Sequence, residues 1–491
     1  MMQQQAMLPG KWGQYISYGV LFLCLMAFAY TGNYILAALP LGFLFVLLLG
    51  VNWKSAYFIL LATIPVSYDL SFFNNTLSTS VPDEPMMWLF FLLFIVMLAR
   101  NPRMIPEWWW RNPLVLVIAL QFLWLLVAVL FSREPVFSIK FLLAKTWFLV
   151  TFFVIPIFVF RGKKDFRLAF LLVLIPLLIT MLIINVRHAA LGFHFRKVEK
   201  AIGDIYFNHV DYSTLMSMIY PLVWIAYPLT KGKSPVFRWV VLALILFFLP
   251  AIYLTYARAA LLAIVFAAVV GIAIRIRLVN LIMPGFYIIC GLVFAYMINH
   301  NKYIEFRPNY EKTYSHKHFT DHMIATVRGE DMSSMERLYR WIAAVRMSQD
   351  EPVTGFGPNS FYYYYKPYTV TSFKTYVSRN PERSTTHNYF LYMLVEQGWP
   401  GMILYALMVF AVFWQAQRIY HRFKDRFYKW VTLGVIMMFA AGFINNFFSE
   451  LLETHKIGSL FYLTIALLVV LRKKSYDEQE EAVAEVIVVK P

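Results

Sequence analysis

Charge is scarce in this chain: Asp, Glu, Lys and Arg make up 14% of its 491 residues, where a soluble domain carries about a quarter. Cysteine is scarcer still. Cys24 and Cys290 lie in separate apolar runs, so neither a disulfide nor a cysteine metal site is expected, and both read as small core residues. The familiar nucleotide and metal signatures are missing too, with no P-loop, no Rossmann glycine fingerprint and no HExxH pattern. What fills the chain is apolar, 60% of it hydrophobic and 18% aromatic. A soluble single domain, a nucleic-acid binder and a disordered tail protein are thereby excluded. The chain reads as an all-α polytopic membrane protein.

Fourteen apolar runs stand between charged or turn-forming residues, from 15–31 and 33–50 to 428–448 and 456–471. A crossing takes about 20 residues, and the runs at 55–69 and 86–99 are short, so twelve to fourteen spans are expected. The N-terminal MMQQQAMLPGKWGQ has one cation and no small-residue cleavage site, and reads as a cytoplasmic start with its first helix retained. The net charge is 44 − 27 = +17, and its cations fall in alternate loops. Lys54, the Arg100–Arg111 group, Arg161–Arg167, Lys231–Arg238, Arg275–Arg277, Arg418–Lys429 and Arg472–Lys474 share one side with both termini when fourteen spans are counted. By the positive-inside rule that side is the cytoplasm.

The organisation expected is an N-terminal bundle of about eleven spans over 1–298, a large extracytoplasmic (periplasmic) loop over 299–387, further spans over 388–471, and a cytoplasmic tail over 472–491, polar and mobile from 475. In the loop, Ser333 and Glu336 have capping-box spacing. Met335, Leu338, Trp341, Ile342 and Val345 then recur at helical steps. An amphipathic helix over about 333–349 is expected, on the membrane surface or on the bundle. It ends before Pro352, and 355–359 is a turn-rich connector.

Several residues are placed for chemistry. Arg258 sits at the outer end of an apolar helix, where an unpaired guanidinium is costly; it reads either as an anion clamp or as a snorkelling interfacial side chain. Arg187, Arg196, Lys197 and Lys200 crowd a short outer loop against the positive-inside tendency. A bound anion explains that, and so does a loop tolerated because others set topology. His387 precedes a long apolar helix and suits proton transfer near neutral pH, or a plain interfacial role. The aromatic group Tyr362–Tyr365 with Tyr368 suits sugar stacking or an interfacial belt. His316, His318 and His322 have metal-like spacing, with a solvated loop as the simpler reading; no metal site is assigned.

Taken together, Arg337…Trp341…Asp350-Glu351-Pro352-Val353-Thr354-Gly355-Phe356-Gly357 and His387-Asn388-Tyr389-Phe390-Leu391…Glu396-Gln397-Gly398-Trp399-Pro400-Gly401 resemble the O-antigen ligase and polymerase superfamily. That superfamily has an Arg-x3-Trp helix, a Pro-x-x-Gly-x-Gly turn and a His-Asn-x-x-Leu…Glu-x-Gly-x-x-Gly stretch. Tyr256-Ala257-Arg258-Ala259 is similar to its Ser-Arg-Gly/Ala helix start, with alanine in place of serine. The resemblance spans roughly 200–470.

The resemblance implies a multispan, GT-C-like glycosyltransferase at the outer face of the bacterial inner membrane, without a cofactor. Its donor would be a glycan on undecaprenyl diphosphate, and its acceptor a growing glycan or the lipid A core. Arg258 with Arg196 or Lys200 would bind the diphosphate, without a metal. His387 would be the base, and Arg337, Asn388, Glu396 and Glu450 would support the site. Ligase, polymerase and protein O-oligosaccharyltransferase share these motifs. A lipid-linked oligosaccharide flippase is the rival class, but it needs two bundles in alternating access and no large one-sided domain.

Overall fold

In lipid a backbone N–H or C=O has no water to bond, so each apolar run must satisfy its own hydrogen bonds as a helix. The computed structural model describes residues 19, 22–24, 26–27, 30–31, 34–72, 77–232, 234–305, 319–328, 330–369 and 385–489. Its elements are α1 (Tyr34–Thr63), β1 (Tyr68–Phe72), β2 (Leu77–Val81), α2 (Asp83–Arg100), α3 (Pro113–Leu130), α4 (Pro135–Leu149), α5 (Lys163–Ala190), α6 (His209–Leu229) and α7 (Pro235–Tyr253). They continue with α8 (Arg258–Arg275), α9 (Val279–Ile298), α10 (Phe319–Arg328), α11 (Met332–Asp350), α12 (Tyr389–Arg422), α13 (Arg426–Phe447) and α14 (His455–Val489). Among the described residues ten helices are long and apolar enough to cross a membrane, all of these except α2, α6, α10 and α11. This is a multi-pass, helical membrane protein. α2 and α6 are of similar length but more polar. The first run, 15–31, lies largely outside the described residues.

Helix ends follow local chemistry. Pro113, Pro135 and Pro235 open α3, α4 and α7 where a missing N–H costs nothing. Asn112, Asn208 and Asp425 cap α3, α6 and α13. The core is α13 and α14, buried over most of their length, while α9 turns Ile288, Ile289 and Leu292 outward. Small residues let the backbones close in. A Cβ at Gly271 of α8 would lie 2.9 Å from the Met437 sulfur, and one at Gly434 of α13 2.8 Å from Cδ1 of Ile225 in α6.

The two ends of the bundle differ in what their loops hold. At one end Lys54 pairs with Asp165 at 2.7 Å, Lys163 pairs with Asp425, and Lys474 donates to the Arg161 carbonyl. Arg426 donates to the Pro228 carbonyl at 2.9 Å. Loops that the sequence assigns to one side thus meet at one end. Asn52, with φ −148° and ψ 77°, breaks α1 there, so that 33–50 and 55–69 meet at the break.

Two local expectations change, and the segment between α1 and α2, unassigned from sequence, takes a defined form. The segment after α1 is an antiparallel hairpin, β1 on β2 with Tyr68 opposite Val81. The 472–489 stretch is the continuation of α14 rather than a mobile tail, and Glu478 accepts the Lys424 and Asp425 N–H groups at 3.1 and 2.7 Å. The helix expected from Ser333 begins at Met332 with Asp331 as its cap, whose carboxylate accepts from Ser334 N at 2.9 Å. It lies on the bundle: Tyr339, Ile342 and Val345 pack on Phe294, Met297 and Ile298 of α9 and on Leu391 of α12.

Candidate functional site

The glycine-rich motifs build a joint before they build a site. Pro400 has no N–H for the Glu396 carbonyl, and Gly398 has φ +69°, so α12 breaks there. The freed groups are met from the 351–361 connector and from α3. Phe356 N donates to Val395 O at 2.9 Å, Gly357 N to Glu396 O at 3.1 Å, and Trp399 N to Pro352 O at 2.9 Å. The Trp124 indole donates to Gln397 O at 2.8 Å. Side chains are excluded where these backbones touch, since a Cβ on Gly355 would lie 2.5 Å from the Val395 carbonyl oxygen. Glu396 is fully buried and accepts Asn359 N at 2.6 Å and Phe361 N at 3.2 Å. The structure therefore places Glu396 in this joint, apart from the cations.

Around the joint the aromatic group is largely packed. Tyr365 is buried, Tyr363 stacks on Phe137 at 4.9 Å, and Tyr364 donates to Glu134 at 3.0 Å. Arg133 pairs with Glu351 and lies 4.6 Å over the Phe356 ring. His316 and His318 lie outside the described residues, as does the side chain of His322. Among the described residues no group of three or more His, Cys, Asp or Glu is placed to hold a metal.

Arg258 and Arg337 come together with His387 at the neighbouring helix ends. Arg258 is the first residue of α8, after a left-handed Tyr256. Ala257 stands at the cap position and offers no side-chain oxygen, so the first N–H groups of α8 have no side-chain cap. The guanidinium pairs with Asp331 at 2.9 Å and bonds Thr326 of α10; it keeps 18% of its surface exposed, while Asp331 is fully buried. Arg337, one turn into α11, donates from Nε to the Phe448 carbonyl at 3.1 Å and from Nη1 to Ser333 Oγ at 3.0 Å. Its pKa is pushed down to about 10, first by burial and then by the Arg258 charge. It stays cationic, and an incoming anion would relieve it.

His387 and Glu450 complete the group. Asn388 caps α12 through Leu391 N at 3.1 Å and ties it to the end of α13 by donating to Phe447 O at 3.1 Å. Those bonds and the Thr386 hydroxyl, which donates to Asn388 O at 2.8 Å, hold His387 at φ +53°. Such a conformation is uncommon outside glycine and tends to mark functional sites. Nδ1 of His387 lies 3.4 Å from Oε2 of Glu450 without a hydrogen bond between them, and Oε1 of Glu450 accepts Thr385 N at 3.2 Å. Burial pushes the His387 pKa down to about 4; Glu450 opposes this, and Arg340 and Arg337 reinforce it. A neutral His387 whose proton sat on Nδ1, the nitrogen facing Glu450, would leave Nε2 as the basic nitrogen.

The 187–210 segment lies at this same end. Tyr256 donates to Phe193 O at 2.6 Å, and Phe195 packs on the Tyr256 ring at 5.3 Å. Arg196 and Lys200 are exposed, and no described contact joins either to Arg258, Arg337 or His387. The cation against Gly203 is Arg187, whose Nη1 lies 3.2 Å from where a Cβ would stand. Sequence reasoning also missed Lys145, which pairs with Glu453 at 2.7 Å beside Tyr389 and Tyr462. A lysine inside an apolar run was its signal. A third buried group, with Lys456 donating to Ile205 O at 2.5 Å and His455 3.5 Å from Asp69, ties α14 to the hairpin and the 187–210 segment.

No curated protein sequence gives a significant match to the chain. Residues 242–406 match the family described as O-antigen ligase. The matched stretch contains Arg258, Arg337, His387, Asn388 and Glu396 and stops short of Glu450. The motifs around Arg258 and His387 thus both lie in a stretch, about a third of the chain, that is similar to the O-antigen ligase family.

Proposed function

We propose that the protein moves a glycan from undecaprenyl diphosphate to an acceptor hydroxyl, on a growing glycan or the lipid A core, at the periplasmic face of the inner membrane. One observation carries this reading. Arg258 and Arg337 stand together at the bundle end where His387 faces Glu450.

In the step this supports, the acceptor oxygen attacks the anomeric carbon. The bond from that carbon to the diphosphate breaks, and its electron pair leaves with the diphosphate. His387 takes the hydroxyl proton at Nε2, and Glu450 stabilises the imidazolium that forms. Arg258, Arg337 and the uncapped start of α8 meet the charge growing on the leaving group. Asp331 and Thr326 fix Arg258 in place, which leaves its remaining N–H groups for phosphate oxygens. Arg196, Lys200 and Arg187 add positive potential on the adjoining segment. Asn388 and Glu396 act as positioning residues, one capping the helix behind His387 and one bracing the joint.

Transfer from purified lipid-linked glycan to acceptor by the reconstituted protein tests the reading; no transfer to any acceptor hydroxyl refutes it. The surface glycan of a deletion strain then separates the members. Loss of all attached long chains assigns a ligase, and chains of a single unit assign a polymerase.

A further inference from the structure

At the end of the bundle opposite His387, α5, α6, α13 and α14 leave a cleft of about 550 Å³ between them, well within the range of ligand pockets. Its walls are apolar: Phe166 and Phe170 of α5, Ile219 and Leu222 of α6, Val435 of α13 and Leu463 of α14. Its mouth is cationic, with Lys163, Arg167, Lys231 and Arg426 set against one carboxylate, Asp425. Lys163 uses that carboxylate. Arg167 lies 4.9 Å over the Phe427 ring, Arg426 donates to the Pro228 carbonyl, and Lys231 is exposed. Among the described residues none of these three has an ion pair, so three positive charges remain over an apolar slot.

We propose that this cleft binds an anionic phospholipid from the adjacent leaflet, with an acyl chain between α5 and α6 and its phosphate at Arg167, Lys231 and Arg426. Charge complementarity selects the occupant. Free phosphate gains nothing from the walls, and the ammonium of a zwitterionic lipid meets like charge at the mouth. The opposite ends of α13 and α14 flank Glu450, so a lipid seated here braces helices that carry the proposed site.

The test uses the full chain reconstituted in nanodiscs of mixed phosphatidylglycerol and phosphatidylcholine, moved to detergent, with retained lipid read by native mass spectrometry. Phosphatidylglycerol should be kept in preference to phosphatidylcholine. Arg167→Ala and Lys231→Ala, both at exposed positions, should each lower its retention about five-fold. Ala226→Phe, which fills the cleft, should remove it. Should Ala226→Phe not fold, the two rim variants decide alone, because both positions are exposed and neither side chain is in the core. Equal retention of both lipids, undiminished retention in the rim variants, or a polyprenyl phosphate as the sole retained lipid would overturn the proposal.

Discussion

Acidification separates His387 from every other candidate base. A free histidine titrates at 6.5, and burial places this one at about 4; the difference corresponds to about 3 kcal/mol against imidazolium. At pH 7 only about one molecule in a thousand then carries the charge, so the base is ready throughout the neutral range. The sign follows directly: transfer needs the neutral ring and fails as pH falls through its pKa. The acid limb of kcat/KM, which reports the free enzyme, is therefore expected near 4. A bound diphosphate favours imidazolium, so the acid limb of kcat should lie higher, between that value and 6.5. The sequence alone suggests only this second effect, because the burial that outweighs it in the empty site is not visible there. The variant to compare is His387→Asn, since asparagine tolerates the left-handed backbone at φ +53°, whereas alanine would add strain of its own. His387→Asn should lose about 10²- to 10⁴-fold in kcat with KM little changed, because the arginines hold the donor. The assay is transfer of lipid-linked glycan by protein in nanodiscs across pH 3.5–8, with tryptophan fluorescence as a check on folding. An acid limb of kcat/KM at or above 6.5, or His387→Asn with near-normal turnover, refutes the reasoning.

Arg258→Ala should abolish transfer while the protein still accumulates, and Arg258→Lys should restore it only in part, since an ammonium keeps the Asp331 pair but loses the two-pronged grip on phosphate. Gly398→Ala should fail to accumulate in the membrane, as judged by size-exclusion chromatography: its Cβ would run into the Val353 carbonyl at φ +69°. Ala257→Ser supplies the missing helix cap and should stabilise the protein by about 1 kcal/mol, seen as a higher thermal midpoint in detergent. A reporter fused within 310–370 should be active only outside the cytoplasm and one at 420–428 only inside; the reverse would move the site to the other face.

The helices were legible because lipid leaves the backbone no other choice, and the ends because cations sort by side. Arg258 and His387 stood out as candidates because each sits where an apolar run starts. Burial was not legible: Glu396 reads in sequence only as a supporting residue, and nothing there shows that its oxygens are used by Asn359 and Phe361 of a connector some 35 residues earlier. Asp331 was passed over in favour of Ser333, since the capping-box rule weighs spacing and not the demand of a partly buried arginine for a carboxylate. Polarity suggested a mobile tail, although its Glu- and Ala-rich run favours helix and simply prolongs α14. Lys145 and Glu453 are 308 residues apart in sequence, beyond the reach of any local pattern.

The way the site is held also bears on the choice between transfer and transport. A flippase rocks one bundle against another around its substrate. Here the proposed site joins α8, α10, α11, the start of α12 and the end of α13 through partly buried bonds: Arg258 to Asp331 and Thr326, Arg337 to Phe448, Asn388 to Phe447. Behind it, three backbone bonds lock the connector into the break of α12. Parting α12 from the connector would orphan those donors and acceptors at about 1–3 kcal/mol each, before the packing of Gly355 and Gly398 against carbonyls is counted. The glycine contacts between α6 and α13 resist sliding in the same way. A group fixed so firmly is poorly made for alternating access and well made for holding a neutral histidine beside two arginines, where preorganised charge lowers a barrier.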